Sequence, residues 1–287
     1  RIFDQLNVRV GRMTPAFGDF MLRHDPANHR ANSKPLPYDM GRMLRRDEWN
    51  LGVLPAPYVD NGAELYGTQW LGDDVQLDYA AHVVSGLKGG EQALDFNFIE
   101  SRSGNLYYVD NNSQPSVGGR AALTTDLGEG ASATLGGSVI WGRYDPAATL
   151  EYLILGADLF VRVDALVLRG EYLLRRTEFA VGAEPERTFR YAMDPRRNFF
   201  VKDGFYLEAE YPLTDWLELF ARLDGLRRSG NVPIDSPLRK ESAVLRATVG
   251  ANLLLERSFR IKLSAEQWDF SDFADELALH AAITANF

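Results

Sequence analysis

Cysteine is absent from all 287 residues, so the chain has no disulfide framework and no thiolate metal site. That suits passage through an oxidising compartment. Long apolar runs are missing too. No stretch approaches the roughly 20 consecutive apolar residues of a membrane-spanning helix. A helical span is therefore excluded, but a strand-built one is not, because only alternate residues of a barrel face lipid. Positive charge is in deficit. Lys and Arg number 31 against 40 Asp and Glu, a net charge of -9 that makes nucleic acid a poor partner. Histidine is scarce, and of the four only His24 and His29, with Asp25 between them, form a metal-like grouping. Asp110-Asn-Asn-Ser113 has the oxygen chemistry of a calcium loop, with a solvated turn as the competing reading. No Walker loop or dinucleotide fingerprint is present. No Ser and His spacing singles out a hydrolase site. The expectation is a non-enzyme without cofactor or metal.

What the chain has is alternation. In Leu277-Ala-Leu-His-Ala-Ala-Ile-Thr-Ala-Asn-Phe287, every second residue is apolar and those between are small or polar, as a strand with one apolar face requires. The same pattern recurs at about 6–12, 63–71, 75–84, 120–127, 131–143, 152–163, 166–177, 204–211, 217–226, 244–255 and 259–268, giving about twelve strands. One hairpin checks itself. Polar residues fall on even positions before Asp164-Ala165 (Asp158, Arg162) and on odd positions after it (Arg169, Glu171, Arg175), the parity change that a two-residue turn imposes.

The connections alternate in length. Turns near 73, 129, 164, 214 and 257 are short, whereas those near 13–61, 86–117, 181–199 and 227–242 are long. Short turns opposite long external loops are the outer-membrane barrel arrangement. The fold class expected is therefore all-β: one transmembrane antiparallel up-and-down barrel over 1–287, with more strands if others precede residue 1. Both termini fall on the short-turn, periplasmic side. A soluble β-sandwich is the bland alternative. Aromatic residues near strand ends, Tyr211, Trp216 and Phe287 at one rim and Trp141, Tyr144, Tyr152 and Phe270 at the other, are expected to form interfacial girdles.

With Leu, Val and Ala facing lipid, the intervening residues face the lumen. These include Arg9, Glu64, Asp78, Arg120, Asp158, Arg162, Arg169, Glu171, Glu208, Arg222, Arg246, Arg260 and Lys262, together with Arg175, Glu210, Glu218, Asp224 and Glu266. Charges of both signs cannot face hydrocarbon, so they line a hydrated pore or brace one another across strands. Arg42, Arg45, Arg46, Asp47 and Glu48 in the first long loop are candidates for a constriction.

The closing strand with its terminal Phe287 resembles that of bacterial outer-membrane β-barrels, which implies an assembly signal read by the barrel assembly machinery. Val10-Gly-Arg-Met-Thr-Pro-Ala-Phe-Gly18, then a long loop, then Asn61-Gly-Ala-Glu-Leu-Tyr-Gly67, resembles the phosphate-selective porin-like superfamily over about the first quarter of the chain. The resemblance implies a Gram-negative outer-membrane porin, monomeric or homotrimeric, passing small solutes or ions by diffusion, with an early loop narrowing the channel. Two departures stand out. Those porins carry several more strands before this motif, and the phosphate-selective ones line the pore with a basic ladder, whereas here arginines are interleaved with carboxylates. The alternative functions are a barrel sheathing a partner such as a multihaem cytochrome, since some barrels resembling this superfamily accompany one, and an autotransporter translocator.

Overall fold

A computed structural model describes residues 3, 5–39, 52–89, 110–182, 184–191, 198–232, 234–256 and 259–285. Twelve strands form a single sheet: β1 (Asn7–Met13), β2 (Asp60–Trp70), β3 (Val75–Val84), β4 (Ser116–Gly128), β5 (Ala131–Arg143), β6 (Glu151–Val163), β7 (Leu166–Glu178), β8 (Phe199–Pro212), β9 (Leu217–Ser229), β10 (Glu241–Glu256), β11 (Phe259–Phe270) and β12 (Glu276–Ala285). Spatial order equals chain order and every neighbouring pair is antiparallel. This is the up-and-down architecture expected from the alternation. Among the described residues no pairing joins β1 to β12, which are the sheet's edges. Several strands run past the bounds read from sequence. β4 begins at Ser116, β8 at Phe199 and β10 at Glu241, all inside segments expected to be loop.

Short turns set the register. Asp164 adopts a φ of 50°, allowing the two-residue turn that pairs Val163 with Leu166 and Asp158 with Glu171. Gly128 and Gly130, at φ of 111° and 72°, make the β4–β5 turn. From there, alternation puts Leu135, Leu159, Leu207, Val249, Leu279 and Ile283 on the outer face, all exposed. Among the described residues nothing else covers them. A continuous apolar exterior of this kind belongs against a non-aqueous medium.

The inner face is different. Residues 14–39 and 52–59, which connect β1 to β2, fold into the lumen instead of projecting outward. Phe17, Phe20, Met21, Leu36, Tyr38, Val53 and Leu54 form a buried cluster there with Tyr206, Leu173 and Ile154 of the wall. Burying such side chains is worth about 1.5–3 kcal/mol each, which is why a segment without periodicity still has one place. Gly156 leaves the space, since a side chain there would come within 2.9 Å of the Phe17 ring.

The girdle expectation holds only in part. Trp141, Tyr211 and Trp216 are exposed on the outside, whereas Tyr144, Tyr152 and Phe270 are buried in the interior cluster. Tyr152 shares its parity with Asp158, and Phe270 with Glu266, so alternation itself points both inward. Phe287 lies outside the described residues.

Candidate functional site in the lumen

The lumenal insert enters through the two halves of the motif quoted above, which meet. Glu64 accepts a hydrogen bond from Ala16 N at 2.8 Å and pairs with Arg9 at 2.7 Å, and Arg9 also donates to Thr14 O. Gly18 follows at a φ of 58°, where any side chain would collide with Glu171 and Tyr38. Its N–H donates to Ser138 on β5 at 3.0 Å.

Glu171 is the next anchor. Register places it directly opposite Asp158, a like-charge pair that costs stability unless each finds its own partner. Asp158 takes Arg120 at 2.5 Å. Glu171 accepts from Phe20 N at 2.6 Å, Tyr38 Oη at 2.5 Å and Tyr206 Oη at 2.6 Å. Burial first, then the Glu171 charge, raises the pKa of Tyr38, which stays a donor.

Further down, Asp19 pairs with Arg169 at 3.1 Å, Arg23 with Glu208 at 3.4 Å, and Arg30 with Glu218 at 2.5 Å and Glu210 at 3.2 Å. Lys262 donates to the carbonyls of Pro26 and His29, and Arg260 to Ala27 O at 3.2 Å. The insert then turns back. Arg222 donates to Ser33 O at 3.0 Å, and Arg246 to Lys34 O at 2.6 Å while pairing with Asp224 at 2.5 Å. Asp224 also accepts from Leu36 N, and Arg175 donates to Val53 O at 2.9 Å. Asn32 reaches β12, donating to His280 O. One chain segment therefore touches the wall from β2 round to β12.

Most of the inward charges named from sequence converge on this insert, directly or through one neighbour. Two do not. Asp78 is half-buried and bonds only Thr68 and Gln76 on its own side, and Arg162 is exposed at the short-turn end near the Phe160 ring. The proposed constriction residues Arg42, Arg45, Arg46, Asp47 and Glu48 lie outside the described residues. Sequence reasoning missed Tyr38, Tyr206, Ser33 and Ser138. Tyr206 and Ser138 share the inward parity of Glu208 and Ile140, so alternation held that signal, whereas Tyr38 and Ser33 stand in a stretch without periodicity.

His24 and His29 do not form a metal pair. His24 Nδ1 contacts Met21 O at 2.8 Å, and His29 is buried beside the Phe20 ring. Burial, followed by the charges of Lys262, Arg222, Arg23 and Lys34, pushes the His29 pKa down to about 2. Among the described residues no group of three His, Asp or Glu is placed to hold a metal ion. Asp110 to Ser113 is a turn, in which Asn111 donates to the carbonyls of Gly89 and Tyr144.

No family model matches the chain, and no curated protein does. Among solved structures it is similar to OmpT of Vibrio cholerae, expressed in the outer membrane, with a TM-score of 0.50, 7% identity, 98% of this chain covered and 77% of that one. It is also similar to the ferric enterobactin receptor PfeA of Pseudomonas aeruginosa (TM-score 0.47, 9% identity) and the siderophore receptor PirA of Acinetobacter baumannii (0.45, 13%). The chain covers 39% and 38% of those two receptors. The likeness to OmpT shows the fold, an outer-membrane β-barrel. It also corrects one expectation. Fold does not dictate function, and a barrel similar to OmpT leaves an enzymatic reading open, so the absence of a recognisable catalytic motif no longer supports a non-enzyme.

Proposed function

We propose that the protein is an outer-membrane channel for small hydrophilic solutes or ions, narrowed by its own β1–β2 insert. The observation that carries this reading is the insert itself, bound to inward side chains around the lumen from Glu64 on β2 to Lys262 on β11. Supporting it are the apolar exterior, which fits bilayer lipid, and the charged inner face, which fits a polar lumen. In this reading the short-turn side and both termini face the periplasm, and Phe287 serves assembly. A homotrimer is compatible with the outer face.

Phosphate selectivity finds little support. Arg9, Arg120, Arg169, Arg222 and Arg246 each face a carboxylate within 4 Å, so these five do not form an unpaired basic ladder down the wall. The sheath reading is weakened by the same insert, which takes the space a threaded partner would need.

The test is planar-bilayer recording of the wild type and of a variant in which residues 19–33 are replaced by a short Gly-Ser link. The wild type is expected to give small steps and the variant larger ones. Equal conductance would remove the insert as constriction, and silence from both would remove the channel.

A further inference from the structure

The two halves of the lumen wall are not equivalent. On β7 to β11 the inward charges Glu171, Arg175, Glu208, Arg222, Arg246 and Glu266 are buried beneath the insert. On β3 to β6 the inward residues of the short-turn half stay open to solvent. Asp78, Arg120, Thr124 and Thr134 are partly exposed, and Asp126 and Arg162 exposed. A cavity of about 640 Å³ opens at that end, its lining including Asp73, Asp74, Asp126, Glu129 and Arg162.

The charge facing this space is one-sided. Four of those five side chains are carboxylates. One step inward, Asp78 receives hydrogen bonds only from neutral Thr68 and Gln76, while the guanidinium of Arg120 is closed onto Asp158. Basic residues near the same end are engaged elsewhere: Arg169 pairs with Asp19 and Glu210, and Arg260 and Lys262, across the lumen, are turned onto carbonyls of the insert. A cleft walled by one sign of charge concentrates ions of the other sign. Screening over about 8 Å at physiological ionic strength keeps that effect local to the cavity.

We infer that the short-turn half of the β2–β6 side of the lumen is the entrance of the permeation path and that its acidic mouth makes it prefer small cations to anions. This rests on the channel reading. The open stretch runs from Asp73, Asp74, Asp126 and Glu129, past Thr134 and Asp78, and ends at the level of Glu64, which is buried where the insert's Ala16 is docked. It explains why Thr124 and Thr134, bonded to each other at 2.8 Å, stay uncovered while Thr248 on β10 is buried.

Two measurements test it. The first is the reversal potential in a KCl gradient, for the wild type and for a quadruple variant (Asp73→Asn, Asp74→Asn, Asp126→Asn, Glu129→Gln). The wild type should prefer potassium, and the variant's preference should fall by about twofold or more. Asp215→Asn, in a short turn away from the cavity, should leave selectivity unchanged. The second uses the absence of native cysteine. Thr134→Cys should react readily with a charged methanethiosulfonate, and Thr248→Cys should not. An anion preference, an unaltered quadruple variant, or equal labelling of both thiols overturns the path. Silent bilayers with the labelling contrast intact would remove the channel reading and take the cation preference with it.

Discussion

Arg246→Met removes a guanidinium from an ion pair with no solvent exposure on either partner. Arg246 contacts Asp224 through Nε at 2.9 Å and Nη2 at 2.5 Å, approaches Glu266 at 3.5 Å, and donates to Lys34 O of the insert at 2.6 Å. Removing one partner of a buried pair costs about 3–5 kcal/mol, because the other charge is left in a poorly solvated place. Asp224 keeps Arg222 at 3.1 Å and Leu36 N at 3.0 Å, which puts the loss near the lower end, about 3 kcal/mol. The cost falls on the docked insert, since with the insert out of the lumen water reaches Asp224 and Glu266. The population of undocked insert should then rise about a hundredfold. Ala31 is fully buried and small, so Ala31→Cys is a suitable reporter, read as its thiol-labelling rate with and without Arg246→Met. A change below about threefold, under 1 kcal/mol, would refute the reasoning, as would Ala31→Cys labelling as fast as a thiol at exposed Asp25.

Tyr38→Phe leaves Glu171 with two donors instead of three and should weaken docking by about 1–3 kcal/mol, read by the same labelling rate. A null effect would mean that Glu171 does not hold the insert. Docking should also weaken with acid through His29. Its docked pKa is about 2 and its free value 6.5, so its contribution is present above 6.5 and is lost as pH falls through that window. Labelling of Ala31→Cys, normalised to Asp25→Cys at each pH, should accelerate over that range, and His29→Gln should flatten the profile. An identical profile in His29→Gln would remove His29 as the cause.

The strands were legible because one physical demand acts on each of them, an apolar outside and a polar inside at period two. The parity change at Asp164-Ala165 even fixed which side Asp158 and Glu171 would share. The same rule, pursued to Tyr152 and Phe270, would have turned both inward. Parity is set by backbone geometry and girdles only by side-chain preference, so parity decides where the two conflict. The β1–β2 connection was legible as long, unusual and a candidate constriction, but the course of residues 14–39 and 52–59 along the wall was not. Phe17, Phe20, Leu36, Tyr38, Val53 and Leu54 follow neither helical nor strand spacing, so periodicity is silent about them. The better signal was composition: so many large apolar residues in one connecting segment have to be covered by something. The motif pieces held a second hint, since Glu64 and the Pro15-Ala-Phe-Gly18 turn are separated in sequence but hydrogen-bonded in space.

Apolar burial and charge have separate parts in seating the insert. Phe17, Phe20, Leu36 and Tyr38 supply affinity for the interior but would tolerate many poses, because dispersion and hydrophobic burial have little direction. The ion pairs add little net stability, since desolvation cancels much of their attraction. What they do set is position. Asp19 on Arg169, Arg30 on Glu218 and Arg222 on Ser33 fix depth, azimuth and return path, each by a geometry that a shift of a few ångströms would break. Because those pairs are drawn from β7 to β11, that half of the wall has its charge largely neutralised. Among the described residues, Asp73, Asp74, Asp78, Asp126 and Glu129 at the short-turn end have no counterpart on the insert. The field that remains in the lumen is therefore a consequence of where the insert docks. A swap such as Arg169→Glu with Asp19→Arg should preserve docking while leaving the acidic mouth, and its selectivity, unchanged.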